Sequence, residues 1–194
     1  MRAINVQGKL SEAIGAVKAQ NLFRQCKVKQ GGTTACPVIE GKTYLAFNSN
    51  DYLGLADDQR LAEAFKRGVD EWGVGSGSAH LVAGHTREHH LFEEELAAFL
   101  GREKALLFST GYMANLGVIS ALADRKTTLF QDKLNHASLI DAAKLSGARL
   151  VRYRHADVEH LNVTIEKSAE SESLIVTDGV FSMDGDVAPL DEIY

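Results

Sequence analysis

The chain has little cysteine and no long apolar run, which argues against a disulfide-rich protein and against a membrane-spanning one. Cys26 and Cys36 are its two cysteines and do not form a Cys-x-x-Cys motif, so we expect reduced thiols rather than a disulfide framework. No apolar run approaches the roughly 20 residues of a membrane span. Residues 1–25 lack the apolar core of a signal peptide. These features favour a cytoplasmic globular protein.

The chain also lacks an excess of positive charge. Its 194 residues include 21 Lys and Arg against 26 Asp and Glu, which gives a formal net charge of -5. Nucleic acids and anionic membranes bind surfaces on which Lys and Arg are clustered, so we expect neither as a partner. Hydrophobic residues make up 45% of the sequence, which is enough to build a buried core.

Standard nucleotide-binding motifs are missing as well. The sequence contains no Walker A motif and no Gly-x-Ser-x-Gly elbow. The glycine-rich loop 73–84 is not a dinucleotide fingerprint, because His80 stands where the third glycine of a pattern begun at Gly75 would be. A nucleotide-binding α/β module is therefore weakly supported. The loop is equally compatible with a structural role and with a direct ligand contact.

Three histidines, His85, His89 and His90, form a possible metal site, since positions 85 and 89 would share one face of a helix. They stand beside Arg87 at a predicted helix start, without a matching cluster of carboxylates or thiolates. The sequence therefore favours a solvated helix N-terminus, and we expect no bound metal.

What the chain does have is a regular alternation of helical and strand patterns. Helices are predicted over 10–23, 58–72, 87–100, 112–123, 137–146 and 157–168, strands over 104–108, 128–131, 149–153 and 174–177, and a hairpin over 36–47 with Gly41 and Lys42 as its turn. Strands that alternate with helices imply right-handed crossovers. We therefore expect an α/β fold with a mostly parallel sheet and helices on both faces.

The last residues have the pattern of a helix start. Pro189 suits an early helical position, and Asp191 and Glu192 suit the positive end of the helix dipole. A single helical turn buries little surface and forms poorly alone. We therefore expect the chain to be the N-terminal part of a longer protein.

Candidate binding residues follow successive predicted strands. Gly111 stands between the strand 104–108 and the next helix, where a glycine permits close approach and free amides suit a phosphate. His136 follows the strand 128–131, and Ser182 lies in the polar loop after 174–177. Ligands bind at the carboxyl ends of strands in open α/β sheets. The pattern predicts a flat, aromatic cofactor that carries a phosphate, although Ser182 also fits a plain connecting loop.

Several motifs together resemble the α-oxoamine synthases, which are fold-type I enzymes dependent on pyridoxal 5'-phosphate (PLP). They occur in the family's order and the resemblance covers essentially the whole chain. The motifs are Asn50-Asp51-Tyr52-Leu53-Gly54-Leu55, Gly75-Ser76-Gly77, Ser109-Thr110-Gly111-Tyr112-Met113-Ala114-Asn115, Asn135-His136-Ala137-Ser138 and Asp178-Gly179-Val180-Phe181-Ser182-Met183-Asp184-Gly185-Asp186. The resemblance implies an N-terminal helix and hairpin over 1–47 and a partial, incomplete PLP-binding large domain over 48–194.

The resemblance also implies roles for individual residues. The amides of Gly111 and Tyr112 would hold the cofactor phosphate, and Ser182 would bond the phenolic oxygen of the ring. His136 would stack on the pyridine ring, which places it among the catalytic, cofactor-binding and substrate-binding residues. Asn50 would lie near the amino-acid carboxylate. Arg24 would contact the acyl substrate, although its surroundings carry little signature of the family.

The implied reaction joins L-alanine to a pimeloyl thioester, carried by coenzyme A or a carrier protein, with loss of carbon dioxide in a step of biotin synthesis. The family is implied to work as homodimers. Its imine-forming lysine and the aspartate that pairs with the pyridine nitrogen match positions beyond Tyr194. Lys126, Lys133, Lys144 and Lys167 do not stand in the lysine motif. We therefore expect the 194-residue chain alone to be inactive.

Two alternatives stay open within the resemblance. The chain could belong to another α-oxoamine synthase, of the glycine C-acetyltransferase or serine palmitoyltransferase type. It could also be a lysine-free, non-catalytic subunit that assists a partner.

Overall fold

A computed structural model describes residues 5–33, 35–168 and 172–194. Contacts group the chain into two units, Met1–Gly84 and His85–Tyr194. The predicted boundary after residue 47 falls inside the first unit and stays a prediction. Within the described ranges, no helix is both long enough and apolar enough to cross a bilayer.

The described part of the first unit contains two α-helices, α1 (Val6–Ala19) and α2 (Gln59–Trp72), a short 3₁₀ helix (Leu55–Asp57) and a small antiparallel sheet. The helix predicted over 10–23 corresponds to α1, which begins and ends earlier in the chain than predicted. Asn5 caps α1, since its side chain accepts a hydrogen bond from the Gly8 amide at 3.0 Å. Asn21 then takes a left-handed conformation with φ 55°, which stops the helix before residues 22 and 23.

The predicted hairpin exists, but its turn lies one residue earlier than expected. Strand β2 (Val38–Ile39) pairs with β3 (Lys42–Thr43), so Glu40 and Gly41 form the turn instead of Gly41 and Lys42. Both turn residues have positive φ, 51° and 76°, which is the conformation that matches the twist of a two-residue hairpin. A third strand, β1 (Lys29–Gln30), pairs with β2 and was not predicted.

The glycine-rich loop of the first unit ends in a wide helical turn over His80–Gly84. Gly84 is buried there, and a Cβ added to it would lie 2.3 Å from the carbonyl oxygen of Ser78. No side chain fits at that distance. This glycine therefore has a structural reason, the close approach of one backbone segment to another.

The second unit carries the predicted alternation. Its elements are α3 (Arg87–Phe99), α4 (Gly111–Leu122), β4 (Thr127–Asp132), α5 (Ala137–Ser146), β5 (Arg149–Tyr153), α6 (Val158–Glu166), β6 (Glu172–Val176) and α7 (Leu190–Ile193). These lie close to their predicted bounds. Gly101 ends α3 as predicted, with φ 62° and its amide on the Ala98 carbonyl at 3.2 Å.

Strand β4 is the centre of a three-stranded parallel sheet in the order β5-β4-β6. All six of its residues are buried, and neighbouring side chains enter opposite cores. Leu129 packs with Leu139, Ala142 and residues of α4, whereas Phe130 packs with Tyr153 and Leu161 of α6. Helices therefore cover both faces of the sheet, as the sequence predicted.

One predicted strand is absent. Residues 104–108 form no ladder within the described chain, and the amide of Leu107 instead donates to Glu93 Oε1 at 3.3 Å. A strand exists only where a neighbouring backbone accepts and donates its hydrogen bonds. The apolar run is present, but the described residues supply no strand to pair with it.

Candidate active site

The N-terminus of α4 is organised by Thr110. This N-cap residue is extended, and its Oγ1 accepts a hydrogen bond from the Met113 amide at 3.1 Å. The Ala114 amide bonds to the Thr110 carbonyl at 3.0 Å. The first backbone amides of a helix have no carbonyl within the helix to which they can donate. Among the described residues, the amides of Gly111 and Tyr112 have no hydrogen-bond partner, and both residues are exposed.

His136 is the N-cap residue of α5 and follows β4. Its Nδ1 lies 2.7 Å from Ser138 Oγ and accepts a hydrogen bond from the Ser138 amide at 3.2 Å. Asn115 Nδ2, which can only donate, lies 2.8 Å from the same Oγ. Ser138 therefore accepts from Asn115 and directs its hydroxyl proton to His136 Nδ1. The neutral ring then carries its own proton on Nε2.

Tyr112 and His136 come together from two helices. Their ring centroids are 6.4 Å apart and the planes are nearly perpendicular, at 78°. The Tyr112 hydroxyl donates to Asp141 Oδ2, and Lys144 Nζ lies 3.3 Å from the other carboxylate oxygen. This hydrogen bond raises the pKa of Tyr112, and it is the main cause that lowers the pKa of Asp141.

The buried residue Asn135 joins the ends of β4 and β6. Its Nδ2 donates to the Val176 carbonyl at 2.7 Å, and its Oδ1 accepts from the Asp178 amide at 3.1 Å. Asp178 Oδ2 in turn accepts from the His136 amide at 2.6 Å. The loops after these two strands are therefore tied to each other at one edge of the sheet, as the sequence predicted for neighbouring carboxyl ends.

Ser182 lies exposed at the tip of a hairpin that follows β6. The hairpin, residues 179–188, is closed by an antiparallel bridge between Val180 and Val187 and by a hydrogen bond from the Ala188 amide to the Gly179 carbonyl at 3.1 Å. Phe181, which precedes Ser182, and Ala188 are buried. The structure thus places Ser182 in a defined turn, and its contact with a cofactor stays a prediction.

The two predicted substrate residues, Arg24 and Asn50, belong to the first unit, and both are exposed. Arg24 follows α1 in an irregular segment. Asn50 lies in a turn where the Asp51 amide donates to Ser49 Oγ at 3.1 Å and the Ala56 amide donates to Asp51 Oδ1 at 3.1 Å. The roles of Arg24 and Asn50 stay predictions.

The histidines near α3 are placed at a helix start, as expected. His89 accepts a hydrogen bond from the Thr86 amide at 3.2 Å and closes a capping box with the same residue. His90 lies 3.3 Å from Glu94 on the exposed surface.

Sequence reasoning missed several polar residues of the sheet edge. It gave no role to Asn115 or Ser138, although both stand in the quoted motifs, and none to Asp178 beyond its position after a strand. It also missed His155, which the structure places between Asp132 and Asp186. The available signal was positional: each of these residues lies at a strand end or one helical turn from a predicted ligand.

A family model described as aminotransferase class I and II matches residues 42–194. The chain therefore belongs to that family. The 8-amino-7-oxononanoate synthase of Hahella chejuensis is 56% identical over 186 residues, which are 96% of this chain and 47% of that protein. The chain spans about half the length of the curated relatives it matches.

Solved structures agree with the family. The Sphingomonas wittichii serine palmitoyltransferase has a TM-score of 0.88 and 33% identity, and the match covers 98% of this chain and 49% of that one. A serine palmitoyltransferase variant from S. paucimobilis with a bound PLP-myriocin aldimine has a TM-score of 0.86 and 31% identity, with 98% and 49% covered. The chain thus has the fold of fold-type I PLP enzymes, and its resemblance to the α-oxoamine synthases is confirmed.

Proposed function

We propose that this chain is part of a PLP-dependent acyltransferase that condenses L-alanine with a pimeloyl thioester to give 8-amino-7-oxononanoate and carbon dioxide. The observation that carries the proposal is sequence identity. Relatives of that name are 51 to 56% identical to the chain over at least 91% of its length. The geometry at the carboxyl edge of the sheet is compatible with such an activity.

The N-terminus of α4 fits the phosphate of PLP. The amides of Gly111 and Tyr112 have no partner there among the described residues, and the positive end of the helix dipole favours an anion. A Cβ added to Gly111 would meet nothing within 4 Å, and the residue has no positive φ. Neither packing nor backbone strain within the described chain therefore requires glycine. Close approach of a phosphate is a sufficient reason for it.

The aromatic part of PLP fits beside His136. The Ser138 hydroxyl and amide hold the ring at Nδ1. That contact leaves the exposed edge with Nε2–H as a donor toward a substrate carboxylate. PLP, when bound, supplies an electron sink for the α-carbon of the amino acid. In this proposal His136 orients the ring against it and Ser182 donates a hydrogen bond to its phenolic oxygen. Asn50 binds near the amino-acid carboxylate, and Arg24 contacts the acyl chain.

The test is a product assay with the full-length protein. Purified protein is incubated with PLP, L-alanine and pimeloyl-CoA, and 8-amino-7-oxononanoate is measured by mass spectrometry together with the released thiol. We expect product that depends on all three additions. Pimeloyl attached to a carrier protein is assayed in parallel, because the pair of donors identifies the carrier. Protein that binds PLP but makes no product with either donor contradicts the proposed substrates.

A second candidate is a serine palmitoyltransferase-type reaction, which the structural neighbours favour. The same assay with L-serine and palmitoyl-CoA distinguishes the two. The 33% identity to that enzyme, against 56% to the 8-amino-7-oxononanoate synthase, places the serine reaction second. A homodimer and a cytoplasmic location belong to the same proposal, and size measurement by light scattering tests the former.

A further inference from the structure

His155 lies between two carboxylates that come from distant parts of the second unit. Its Nδ1 is 3.0 Å from Asp132 Oδ1 and its Nε2 is 2.6 Å from Asp186 Oδ2. A carboxylate can only accept, so both ring nitrogens must donate. Two ionised carboxylates are therefore both satisfied only by the imidazolium form of the ring, which places a positive charge between two negative ones.

The Asp132 end of this arrangement is fixed by the sheet. Asp132 is the last residue of β4 and is almost fully buried. Its Oδ1 also accepts from the Leu134 amide at 2.8 Å, and its Oδ2 accepts from the Ala156 amide at 2.8 Å. A carboxylate with three donors has little freedom to move, so it serves as a rigid anchor for His155.

The Asp186 end belongs to the hairpin 179–188. The Phe181 amide donates to the Asp186 carbonyl at 2.9 Å, and the Gly185 amide donates to the Phe181 carbonyl at 2.8 Å, so the tip is a closed turn. The His155 ring also contacts Phe181 edge to face, with centroids 4.5 Å apart. Asp186 Oδ1 is buried and has no hydrogen-bond partner in the part of the chain that the structure describes. The side chain of Asp186 therefore depends on His155.

We propose that His155 is a positioning residue that fastens the hairpin 179–188, and with it Ser182, to the end of β4. The hairpin turns back on itself by its own backbone bonds, but those bonds do not attach it to the sheet. Phe181 and Ala188 of the hairpin are buried against the rest of the unit, and His155 adds a polar attachment through the ion pair with Asp186 and the ring contact with Phe181. The importance of Ser182 rests on the proposed function, whereas the attachment of the hairpin does not.

The charges around His155 favour its protonated state. Asp132 faces it from β4 and Asp186 from the hairpin, and its neighbour Arg154 is engaged by Asp157 at 2.9 Å. The hydrogen bond to Asp132 is the largest cause that raises the pKa of His155 above 6.5, burial opposes the shift, and Asp186 adds to it. The attachment should therefore weaken as the pH rises through the pKa of the folded state.

The experiment is amide hydrogen exchange on the full-length protein and its His155→Phe variant, without cofactor. The phenyl ring preserves the contact with Phe181 and removes both donors. A two-stranded hairpin that is not held against the rest of a protein is only marginally stable in water. We therefore expect the amides of Phe181, Gly185 and Ala188, which bond within the hairpin, to exchange about tenfold faster in the variant. The amides of β4 should keep their protection. His90→Phe, which changes an exposed histidine of α3, is the matched control and should leave the hairpin unchanged.

Unchanged exchange at those three amides in His155→Phe overturns the proposal. If the variant also loses protection in β4, the proposal is tested with the wild-type protein over a range of pH. Its hairpin protection, corrected for intrinsic rates, must fall together with deprotonation of His155 followed by imidazole NMR, and independence of the two overturns the proposal. Failure of the product assay with normal hairpin attachment would instead count against the proposed function alone.

Discussion

The rings of Tyr112 and His136 meet edge to face, with centroids 6.4 Å apart, although Tyr112 lies in the first turn of α4 and His136 is the N-cap residue of α5. The two helices start at the same edge of the sheet, so a helix N-terminus and an imidazole border one space. Each of the two side chains is hydrogen-bonded to a polar residue of α5: Tyr112 to Asp141 and His136 to Ser138. The orientations of the Tyr112 and His136 rings therefore depend on Asp141 and Ser138.

The first prediction concerns the tautomer of His136. In the wild-type protein we expect the neutral ring to carry its proton on Nε2, because Asn115 donates to Ser138 and Ser138 donates to Nδ1. Asn115→Asp replaces a donor with an acceptor of the same shape. The Ser138 hydroxyl should then turn toward residue 115, so that Nδ1 loses this hydrogen bond and keeps the one from the Ser138 amide. The ring should stay protonated on Nε2, and the ¹⁵N shift of Nδ1 should change.

Imidazole ¹⁵N shifts of His136 measure this directly. An Asn115→Asp protein with the same ring shifts as wild type would contradict the relay. Asn162→Asp, an exposed position on α6, controls for the added charge.

The second prediction concerns the core beside β4. Leu129 is fully buried between the sheet and the helices α4 and α5. Leu129→Ala removes buried methyl groups and leaves a cavity, so it should lower the free energy of unfolding by about 2–5 kcal/mol. Leu145→Ala on the exposed face of α5 should change it by less than about 0.5 kcal/mol. Urea denaturation of both variants checks the difference, and equal losses would show that the core is wrongly assigned.

The third prediction concerns pH and His155. The pKa of His155 is raised in the folded protein, mainly by Asp132, so the folded state binds the proton more tightly than the unfolded state does. Its contribution to stability is therefore full below about pH 6.5, the unfolded value, and is lost as the pH rises through the folded pKa. The difference in unfolding free energy between wild type and His155→Phe should shrink as the pH rises above 6.5. A difference in unfolding free energy that grows with pH would contradict the positive charge assigned to His155.

The fourth prediction concerns the role of His136 in the full-length enzyme. His136→Ala should lower turnover more than it weakens PLP binding, because stacking of this kind is worth only about 1 kcal/mol beyond the buried area. The phosphate contacts at Gly111 and Tyr112 would still hold the cofactor. PLP titration and steady-state rates, measured on the same preparation, separate the two effects. A variant that loses PLP yet keeps its rate per bound cofactor is inconsistent with the orienting role.

Local patterns were sufficient for most elements of the second unit. The helices α5 and α6 and the strands β4 and β5 follow from apolar spacing and from turn residues between them, because both signals are contained in a short window. The same patterns placed Gly111, His136 and Ser182 after successive strands. His136 follows β4 and Ser182 follows β6, whereas the strand predicted before Gly111 is absent among the described residues. Binding by these residues was an implication of the resemblance and remains a proposal.

Features that depend on distant residues could not be predicted in this way. The run at 104–108 has the composition of a strand, but pairing is decided by a neighbouring backbone and not by the run itself. His155 acquires its role from Asp132 and Asp186, which are 23 and 31 residues away in sequence. The turn at Glu40 was missed because a non-glycine residue with positive φ has no reliable local signal.

The most direct test of the central claim is a crystal structure of the full-length protein with PLP. We expect a phosphate within hydrogen-bond distance of the Gly111 and Tyr112 amides, the His136 ring stacked on the pyridine, and the Ser182 hydroxyl on the phenolic oxygen. PLP bound elsewhere, or these three positions directed away from it, would contradict the claim.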